Sequence, residues 1–306
     1  LPELKKRGYP EAITFGTLAG AGTLGLLIPP SIIMIVYGVT ANVSIAQLFI
    51  AGVFPGLLLA SLFMAYTIVW SLLHPDQIPP ADQNMTFLQK LDASRNLIPV
   101  ISLITAVLGS IYTGLATATE AAGLGVVGAM VIAAIQGEMS WKNFRDSLLG
   151  ATRLYCMIAL ILAGAAFLTL AMGYIGLPRH LAEWIGSLGL SPLALVMALM
   201  AFFIILGCFL DGISIIVLTM GILLPTIEKA GIDLIWFGIY VVLVVEMAQI
   251  TPPVGFNLFV LQGMTKKEIT WLAKHSMPMF FLMVGAVLLI YFFPGIITWL
   301  PQHMAG

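Results

Sequence analysis

Two long apolar stretches of this chain are each interrupted by a pair of consecutive prolines. Such a pair is costly inside a helix, because two backbone donors are lost and each ring clashes with the preceding turn. The flanking residues repeat too, 223 positions apart, so that position 224 matches position 1 and position 253 matches position 30. The identical residues are Leu1, Pro2, Lys6, Gly8, Pro29 and Pro30, which recur as Leu224, Pro225, Lys229, Gly231, Pro252 and Pro253. This agreement without a gap indicates an internal duplication with one broken helix in each copy.

The composition is that of a membrane protein. Of the 306 residues, 60% are hydrophobic and 9% are charged, and the mean hydropathy of +1.05 lies far from that of soluble domains. Apolar runs of about 18 residues or more, enough to cross a hydrocarbon core of ~30 Å, recur along nearly the whole chain. We therefore predict an all-α polytopic membrane protein with a single transmembrane domain over 1–306.

The spans follow from these runs. The predicted spans are 12–38 (broken near 22–30), 46–73, 97–113, 120–136, 148–173, 234–263 (broken near 250–254) and 277–299. Two apolar arms, 191–209 and 212–225, meet at Asp211-Gly212. Since the apolar part of the second arm has only about twelve residues, too few to span, we predict a re-entrant hairpin, which membranes tolerate where it is buried in protein. Residues 177–189 are predicted to form an interfacial amphipathic helix.

The placement of charge gives an orientation. If the hairpin returns to its own side, four loops face one compartment. These loops are 1–11, 74–96, 137–147 and 264–276. Of the 13 Lys and Arg, all except Arg179 and Lys229 lie in these loops or just inside that face, which predicts that it is cytoplasmic and that the C-terminus is periplasmic. A simple two-pass crossing of the arms gives the same parity. The two copies then run in opposite directions, an inverted repeat of the kind that binds substrate and coupling ions near the midplane.

The sequence also contains longer motifs in a fixed order. These are GTLGLLIPPS (22–31), LFIAG (48–52), PG (55–56), ATEAA (118–122), LDG (210–212) and TPPVGFNLF (251–259). Over essentially its whole length the chain resembles the DctM-like large membrane subunit of TRAP transporters (tripartite ATP-independent periplasmic transporters). The resemblance implies an elevator-type fold, with a moving transport domain against a static scaffold. It also implies that the N-terminal third of the subunit, including the tip of a first hairpin, is absent from this sequence.

The resemblance further implies Na⁺-coupled uptake of an organic acid, such as sialic acid or a C4-dicarboxylate, in a bacterial inner membrane. The implied partners are a periplasmic substrate-binding protein and a small four-helix membrane subunit, separate or fused; no nucleic acid is expected. The predicted parts are the broken helix of repeat 1 (1–45), the scaffold and connecting helices (46–190), the hairpin and broken helix of repeat 2 (191–263), and the C-terminal loop and last helix (264–306).

The two breaks are the predicted Na⁺ sites, because an unwound helix offers backbone carbonyls that have lost their intrahelical partners. The first site, which the absent hairpin would complete, comprises Gly22, Thr23, Gly25, Pro29 and Ser31. The second comprises Asp211, Gly212, Ser214, Gln249, Thr251 and Pro252. Two alternatives stay open: the first break is only a packing kink, and the acid of the hairpin tip is a helix cap rather than an ion ligand.

Three further polar residues are weaker candidates for substrate binding. Arg153 lies near the cytoplasmic end of its span, where snorkelling is its ordinary role, and Asn257 follows the second break. Glu246 stands in a strongly apolar run, where an acid needs a cation, a hydrogen-bond partner or a proton. Helix N-termini are an easier partner for a carboxylate than these few charges.

Other classes of function are less well supported. The sequence has no HExxH motif, no serine nucleophile elbow and no phosphate-binding Gly-Lys-Ser loop, so we expect no enzyme and an ion gradient as the energy source. Two alternatives to the tripartite transporter remain: a self-contained ion-coupled anion carrier that needs no binding protein, and a channel, which would conduct without coupling.

Overall fold

The computed structural model describes residues 4, 6–79, 94–253 and 255–303. The first Leu-Pro pair, Lys5 and most of the predicted loop 74–96 therefore lie outside the described residues. In the described ranges the chain forms thirteen α-helices. They are α1 (Glu11–Leu27), α2 (Ile32–Ala41), α3 (Ile45–Leu73), α4 (Ile98–Tyr112), α5 (Ala118–Ile135), α6 (Trp141–Ile175), α7 (Leu177–Ser187), α8 (Pro192–Gly207), α9 (Gly212–Lys229), α10 (Leu234–Gln249), α11 (Phe256–Thr265), α12 (Ile269–Phe292) and α13 (Gly295–Gln302).

These helices confirm an all-α, polytopic membrane protein. Within the described residues, five helices (α3, α5, α6, α9 and α12) are long and apolar enough to cross a membrane. A sixth span results if α1 and α2, which are bent by 43° at their break, count as one.

The chain divides into two compact units. The first contains residues 1–79 and 162–302 and thus α1–α3, the second part of α6 and α7–α13. The second contains residues 80–161, in which α4 packs against α5. Both broken helices and both apolar arms belong to the first unit.

The duplication is present in the backbone. Gly8 and Gly231 both adopt a left-handed conformation, with φ of +79° and +71°, in which a glycine commonly ends a helix. The residue after this glycine makes the same backbone hydrogen bond in each copy. The Tyr9 amide donates to the Leu4 carbonyl and the Ile232 amide to the Ile227 carbonyl, both at 3.2 Å. The two copies therefore begin with the same helix-ending turn.

The helices that follow repeat as well. Both copies have the same order of elements. A long helix (α1 or α10) is followed by a break at a cis Pro-Pro bond, then by a ten-residue helix (α2 or α11), and then by a long apolar helix (α3 or α12). Packing is exchanged between the copies: α1 packs against α12 and α10 against α3, while α2 packs against α10 and α11 against α1. Equivalent helices of the two copies thus exchange equivalent contacts.

Several boundaries differ from the sequence predictions; α6, for example, begins at Trp141 rather than at 148. Helix α1 continues through Gly22 and Gly25 to Leu27, because an internal glycine costs a helix only about 1 kcal/mol. The second arm, α9, has 18 residues and continues through Pro225, since burial of Ile227 keeps the next turn packed. The argument that this arm is too short to span was therefore wrong. The last span is α12, which begins at Ile269 rather than at 277.

Candidate ion and substrate site at the paired helix breaks

The first break is a link of four residues, 28–31, between α1 and α2, and a serine in it makes hydrogen bonds to both helices. Ser31 is almost fully buried; its hydroxyl accepts a 3.3 Å hydrogen bond from the Met34 amide and donates one to the Leu26 carbonyl. The residue thus caps the start of α2 and ties it to the end of α1, and Pro29 is buried between them. Ser31 and Pro29 are the two predicted first-site residues that lie in the break itself.

The other three residues predicted for the first Na⁺ site lie inside α1. Gly22, Thr23 and Gly25 precede the helix end at Leu27, so their peptides are not unwound. The Thr23 hydroxyl is fully buried and donates a 2.8 Å hydrogen bond to the Gly20 carbonyl. The three residues stay predicted ligands through their carbonyls; that of Gly25 has no intrahelical donor, because Pro29, four residues on, has no N–H.

The second break holds a cradle of carbonyl oxygens. A Cβ atom placed on Gly255 would lie 2.8 Å from the Thr251 carbonyl oxygen and 2.9 Å from that of Gln249. Two carbonyl oxygens therefore converge on Gly255, where Leu258 Cδ1 also comes within 3.1 Å of the Cβ position, and only a glycine, with φ of +26°, fits there. We call these two oxygens and Gly255 the carbonyl cradle. The sequence analysis missed Gly255, although two prolines followed by a glycine in an apolar run already indicate an unusual backbone.

The link between the two apolar arms packs directly on this break. The Cys208 thiol donates a 3.2 Å hydrogen bond to the Pro252 carbonyl. A Cβ atom on Gly212 would lie 2.6 Å from the Ile33 Cδ1 atom and 3.7 Å from Nε2 of the Gln249 side chain. The link therefore contacts α2 of the first copy through Ile33, and the second break through the Gln249 side chain and the Pro252 carbonyl.

Asp211 caps helix α9. Its Oδ2 accepts hydrogen bonds from the amides of Ile213 (3.1 Å) and Ser214 (3.3 Å), and its Oδ1 accepts one from the Ser214 hydroxyl. This is the ordinary geometry of an N-cap aspartate. The alternative that Asp211 is a helix cap is thus confirmed. Its carboxylate is still exposed, so capping does not prevent it from also binding an ion.

A cavity lies between the tip and α11. Its volume is about 420 Å³, and it is lined by Gly207, Phe209, Leu210, Asp211, Phe256, Phe259 and Val260. Helix α11 starts at this cavity with no side-chain cap on its first amides. A larger cavity of about 720 Å³ between α2, α6 and α9 is lined mainly by apolar residues and does not touch the breaks.

The three weaker candidates lie in different surroundings. Arg153 is exposed on α6 and belongs to the second unit. The Asn257 side-chain nitrogen is buried without a hydrogen-bond partner, close to Gly22. Glu246 is completely buried on α10, where the hydroxyl of Thr23 and the backbone of Leu27 face its carboxylate.

Two broken helices that meet in one unit, with two apolar arms joined over one of the breaks, define a membrane transporter of the discontinuous-helix class. Comparison with known proteins makes this specific. A family model described as "Tripartite ATP-independent periplasmic transporter, DctM component" matches residues 1–296. The chain belongs to this family, which confirms the resemblance found in the motifs and makes it a transporter component rather than an enzyme.

Several curated relatives share this level of similarity. The C4-dicarboxylate TRAP transporter large permease protein DctM of Pseudomonas aeruginosa is 32% identical over 300 residues, covering 98% of this chain and 70% of the relative. The isethionate TRAP transporter permease protein DctMQ of Oleidesulfovibrio alaskensis is 32% identical, covering 100% of this chain and 47% of the relative. The ectoine/5-hydroxyectoine TRAP transporter large permease protein UehC of Ruegeria pomeroyi is 30% identical, covering 98% and 69%.

Proposed function

We propose that this chain is the ion-coupled permease part of a tripartite transporter that takes up an organic acid across a bacterial inner membrane, driven by Na⁺. A periplasmic substrate-binding protein delivers the acid, and a small membrane subunit accompanies the permease. The word "tripartite" in the family description supports the number of partners. The DctMQ relative, more than twice as long as the region it shares with this chain, supports a fused small subunit in some members.

The observation that carries the Na⁺ proposal is the carbonyl cradle. Hard cations prefer oxygen ligands, and here the Gln249 and Thr251 carbonyls converge beside a glycine in place of pairing within a helix. The link between the arms packs beside the cradle, with Gly212 near the Gln249 side chain and Cys208 on the Pro252 carbonyl. We assign the second Na⁺ site to this cradle, with the tip closing it, and the first to the break at Pro29 and Ser31 together with sequence upstream of it.

The substrate class rests on α11 and on the relatives. The relatives' names mention C4-dicarboxylates, isethionate and ectoine, which all carry a carboxylate or sulfonate group. The uncapped N-terminus of α11 at the 420 Å³ cavity presents backbone amides and a positive helix end, which favour an anionic group. Phe256 and Phe259 line the same cavity and suit the apolar part of a small acid.

An inverted-repeat elevator accounts for the rest of the arrangement. The exchanged packing of the two copies supports a two-fold relation, and the bias of Lys and Arg towards one side supports opposite orientations in the membrane. The two breaks and the link between the arms lie in the same compact unit, so they can move together; this unit also contains α3, which the proposal assigns to the scaffold. We keep the predicted parts of the chain in this proposal: the two broken helices, the scaffold (46–190), and the two apolar arms as a re-entrant hairpin.

The test is uptake of labelled organic acid into proteoliposomes that contain the full-length subunit, its small subunit and a binding protein from the same source. An inward Na⁺ gradient is compared with an equal K⁺ gradient, with and without the binding protein. Uptake that requires both Na⁺ and the binding protein supports the proposal. Na⁺-driven uptake without the binding protein would favour a self-contained carrier, and voltage-driven uncoupled flux would favour a channel; either result would overturn the tripartite mechanism.

A further inference from the structure

A small cavity lies between α7, α8 and the end of α9, and its lining residues lie outside both helix breaks. Its volume is about 210 Å³. Its floor is formed by buried residues, namely Ala182, Leu195 and Thr226, and its mouth by exposed ones, among them Gly189, Leu190 and Lys229. We call it the Thr226 cavity. All of its residues belong to the first compact unit.

The floor of this cavity holds a hydroxyl group without a partner. Thr226 is only 4% exposed, and in the described part of the chain its Oγ1 atom makes no hydrogen bond. Thr219, two turns earlier on the same helix, shows the usual alternative, because its hydroxyl donates to the Ile215 carbonyl at 2.7 Å. A buried hydroxyl that makes no hydrogen bond is unfavourable. Since no hydrogen bond holds the Thr226 side chain, rotation about its Cα–Cβ bond can turn the hydroxyl towards a ligand in the cavity.

An ammonium group stands one helical turn beyond this hydroxyl. Lys229 follows Thr226 by three positions on α9 and so lies on the same face of the helix, and both residues line the cavity. The charge of Lys229 acts on Glu183, but that carboxylate already binds Arg179 at 2.9 Å. Within the described residues, the Lys229 ammonium forms no ion pair and no hydrogen bond. It is therefore available to bind an anionic group at the mouth of the cavity.

The mouth of the cavity lies at the predicted periplasmic membrane interface. Only two of the 13 Lys and Arg are predicted on that side, Arg179 and Lys229, and they belong to α7 and α9, which pack against each other. Trp184 and Leu188, near the end of α7 and just after it, and Leu190 are exposed. Exposed Trp and Leu next to cations are typical of a helix that lies among lipid headgroups. The cavity therefore opens towards the headgroup region.

These groups define the chemistry of a ligand. It needs an anionic oxygen for Lys229, an acceptor for the Thr226 hydroxyl, and an apolar part for the rest of the lining. The negative C-terminal end of α9 disfavours an anion deep in the cavity, so a neutral carbonyl is the better acceptor for Thr226. A phospholipid has all three groups in its phosphate, its ester carbonyls and its acyl chains, whereas a free inorganic anion lacks the last two.

We propose that the Thr226 cavity is a binding site for one phospholipid. Lys229 binds a phosphate oxygen, the Thr226 hydroxyl donates to an ester carbonyl oxygen, and the start of an acyl chain packs against Leu195. The bound lipid contacts α7, α8 and α9 together and so holds the two apolar arms against α7. This site is independent of the proposed Na⁺ and substrate sites at the breaks.

The role of the charge is tested by native mass spectrometry of the full-length subunit in detergent with added dioleoylphosphatidylglycerol. The wild-type protein should retain one lipid more tightly than any other. Lys229→Gln should weaken binding of this lipid by about tenfold, the usual effect of losing a hydrogen bond to a charged group. Lys274→Gln, which removes an exposed lysine of α12 outside the cavity, is the matched control and should leave binding unchanged. Equal binding by the Lys229→Gln and wild-type proteins would refute the site.

The role of the hydroxyl is tested with Thr226→Val, and with Thr219→Val as its control. Thr226→Val should weaken binding of the same lipid by about fivefold. In lipid-free detergent it should raise the melting temperature, because it removes a buried hydroxyl that has no partner. Thr219→Val removes a hydroxyl that is hydrogen-bonded and should not raise it. A Thr226→Val protein that binds the lipid as tightly as the wild type would overturn the contact between this hydroxyl and the lipid.

The nature of the ligand is tested by competition. Inorganic phosphate should not displace the retained lipid, and dioleoylglycerol, which lacks the phosphate, should bind about tenfold more weakly. Displacement by inorganic phosphate would indicate a site for a free anion, and equal binding of dioleoylglycerol would indicate an apolar groove that does not recognise charge; either result would overturn the proposal. So would a Lys229→Gln protein that loses affinity for the periplasmic binding protein but keeps the lipid, since Lys229 would then bind an acidic side chain of that protein.

Discussion

Replacement of Gly255 by alanine is the sharpest test of the carbonyl cradle. The new methyl group would lie 2.8 Å and 2.9 Å from the Thr251 and Gln249 oxygens, closer than carbon and oxygen approach in packed proteins. The backbone at φ of +26° adds roughly 1–2 kcal/mol for a residue with a Cβ, and overpacking adds about 1–3 kcal/mol. The strain is relieved when the two oxygens turn away from the cradle, which is the movement that removes an ion site.

The magnitude follows from this strain. If about 2 kcal/mol of it must be supplied again whenever the oxygens return to bind an ion, the affinity falls by roughly thirtyfold, since each 1.4 kcal/mol is a factor of ten. The assay is the Na⁺ concentration that gives half-maximal uptake in proteoliposomes, measured at saturating organic acid. We expect this concentration to rise by one to two orders of magnitude in Gly255→Ala.

The matched control is Gly263→Ala. Gly263 lies in α11, the helix that Gly255 precedes, and a Cβ atom there meets nothing within 4 Å. This variant should keep the Na⁺ dependence of the wild-type protein. Elution as a single species in size-exclusion chromatography shows that both variants are folded. A well-folded Gly255→Ala protein with an unchanged Na⁺ requirement would refute the cradle as an ion site.

Three other substitutions test the packing and the caps. Gly16→Ala places a methyl group 2.2 Å from the His275 carbonyl oxygen and should lower the free energy of unfolding in detergent by roughly 1–3 kcal/mol; Gly25→Ala, on the same helix with nothing within 4 Å, should not lower it. Ser31→Ala removes the cap of α2 and should lower the free energy of unfolding in detergent by about 1 kcal/mol. A variant as stable as the wild-type protein would mean that the cap does not contribute. Asp211→Ala should weaken uptake, and Asp211→Asn should restore it if capping is the main role, because Asn caps as well as Asp; loss in both variants would instead support a role for the charge.

The breaks themselves were predictable, because proline pairs in apolar runs leave a helix few options. The duplication was also predictable, since identities at one fixed spacing carried over into repeated turns at Gly8 and Gly231. The capping role of Asp211 was one of two readings, and only the hydrogen bonds to Ile213 and Ser214 distinguish them.

What the sequence did not predict depends on packing between distant elements. Gly22 and Gly25 permit unwinding, yet α1 stays helical through both, with the neighbouring Thr23 and Leu27 buried. Pro225 ends an apolar run in the sequence but not the helix, because Thr226 and Ile227 beyond it are buried. The convergence of two carbonyls on Gly255 and the contact of Thr23 with Glu246 arise only when the chain is folded.

The meeting of Thr23 and Glu246 has a consequence for how such a protein can arise. In an assembly of two identical halves, each residue at the axis would face its own copy. Two glutamates there would repel each other or share a proton, and two threonines would carry no acid at all. Because both copies lie in one chain, equivalent positions carry different residues, threonine at 23 and glutamate at 246, where two identical halves would carry the same residue twice.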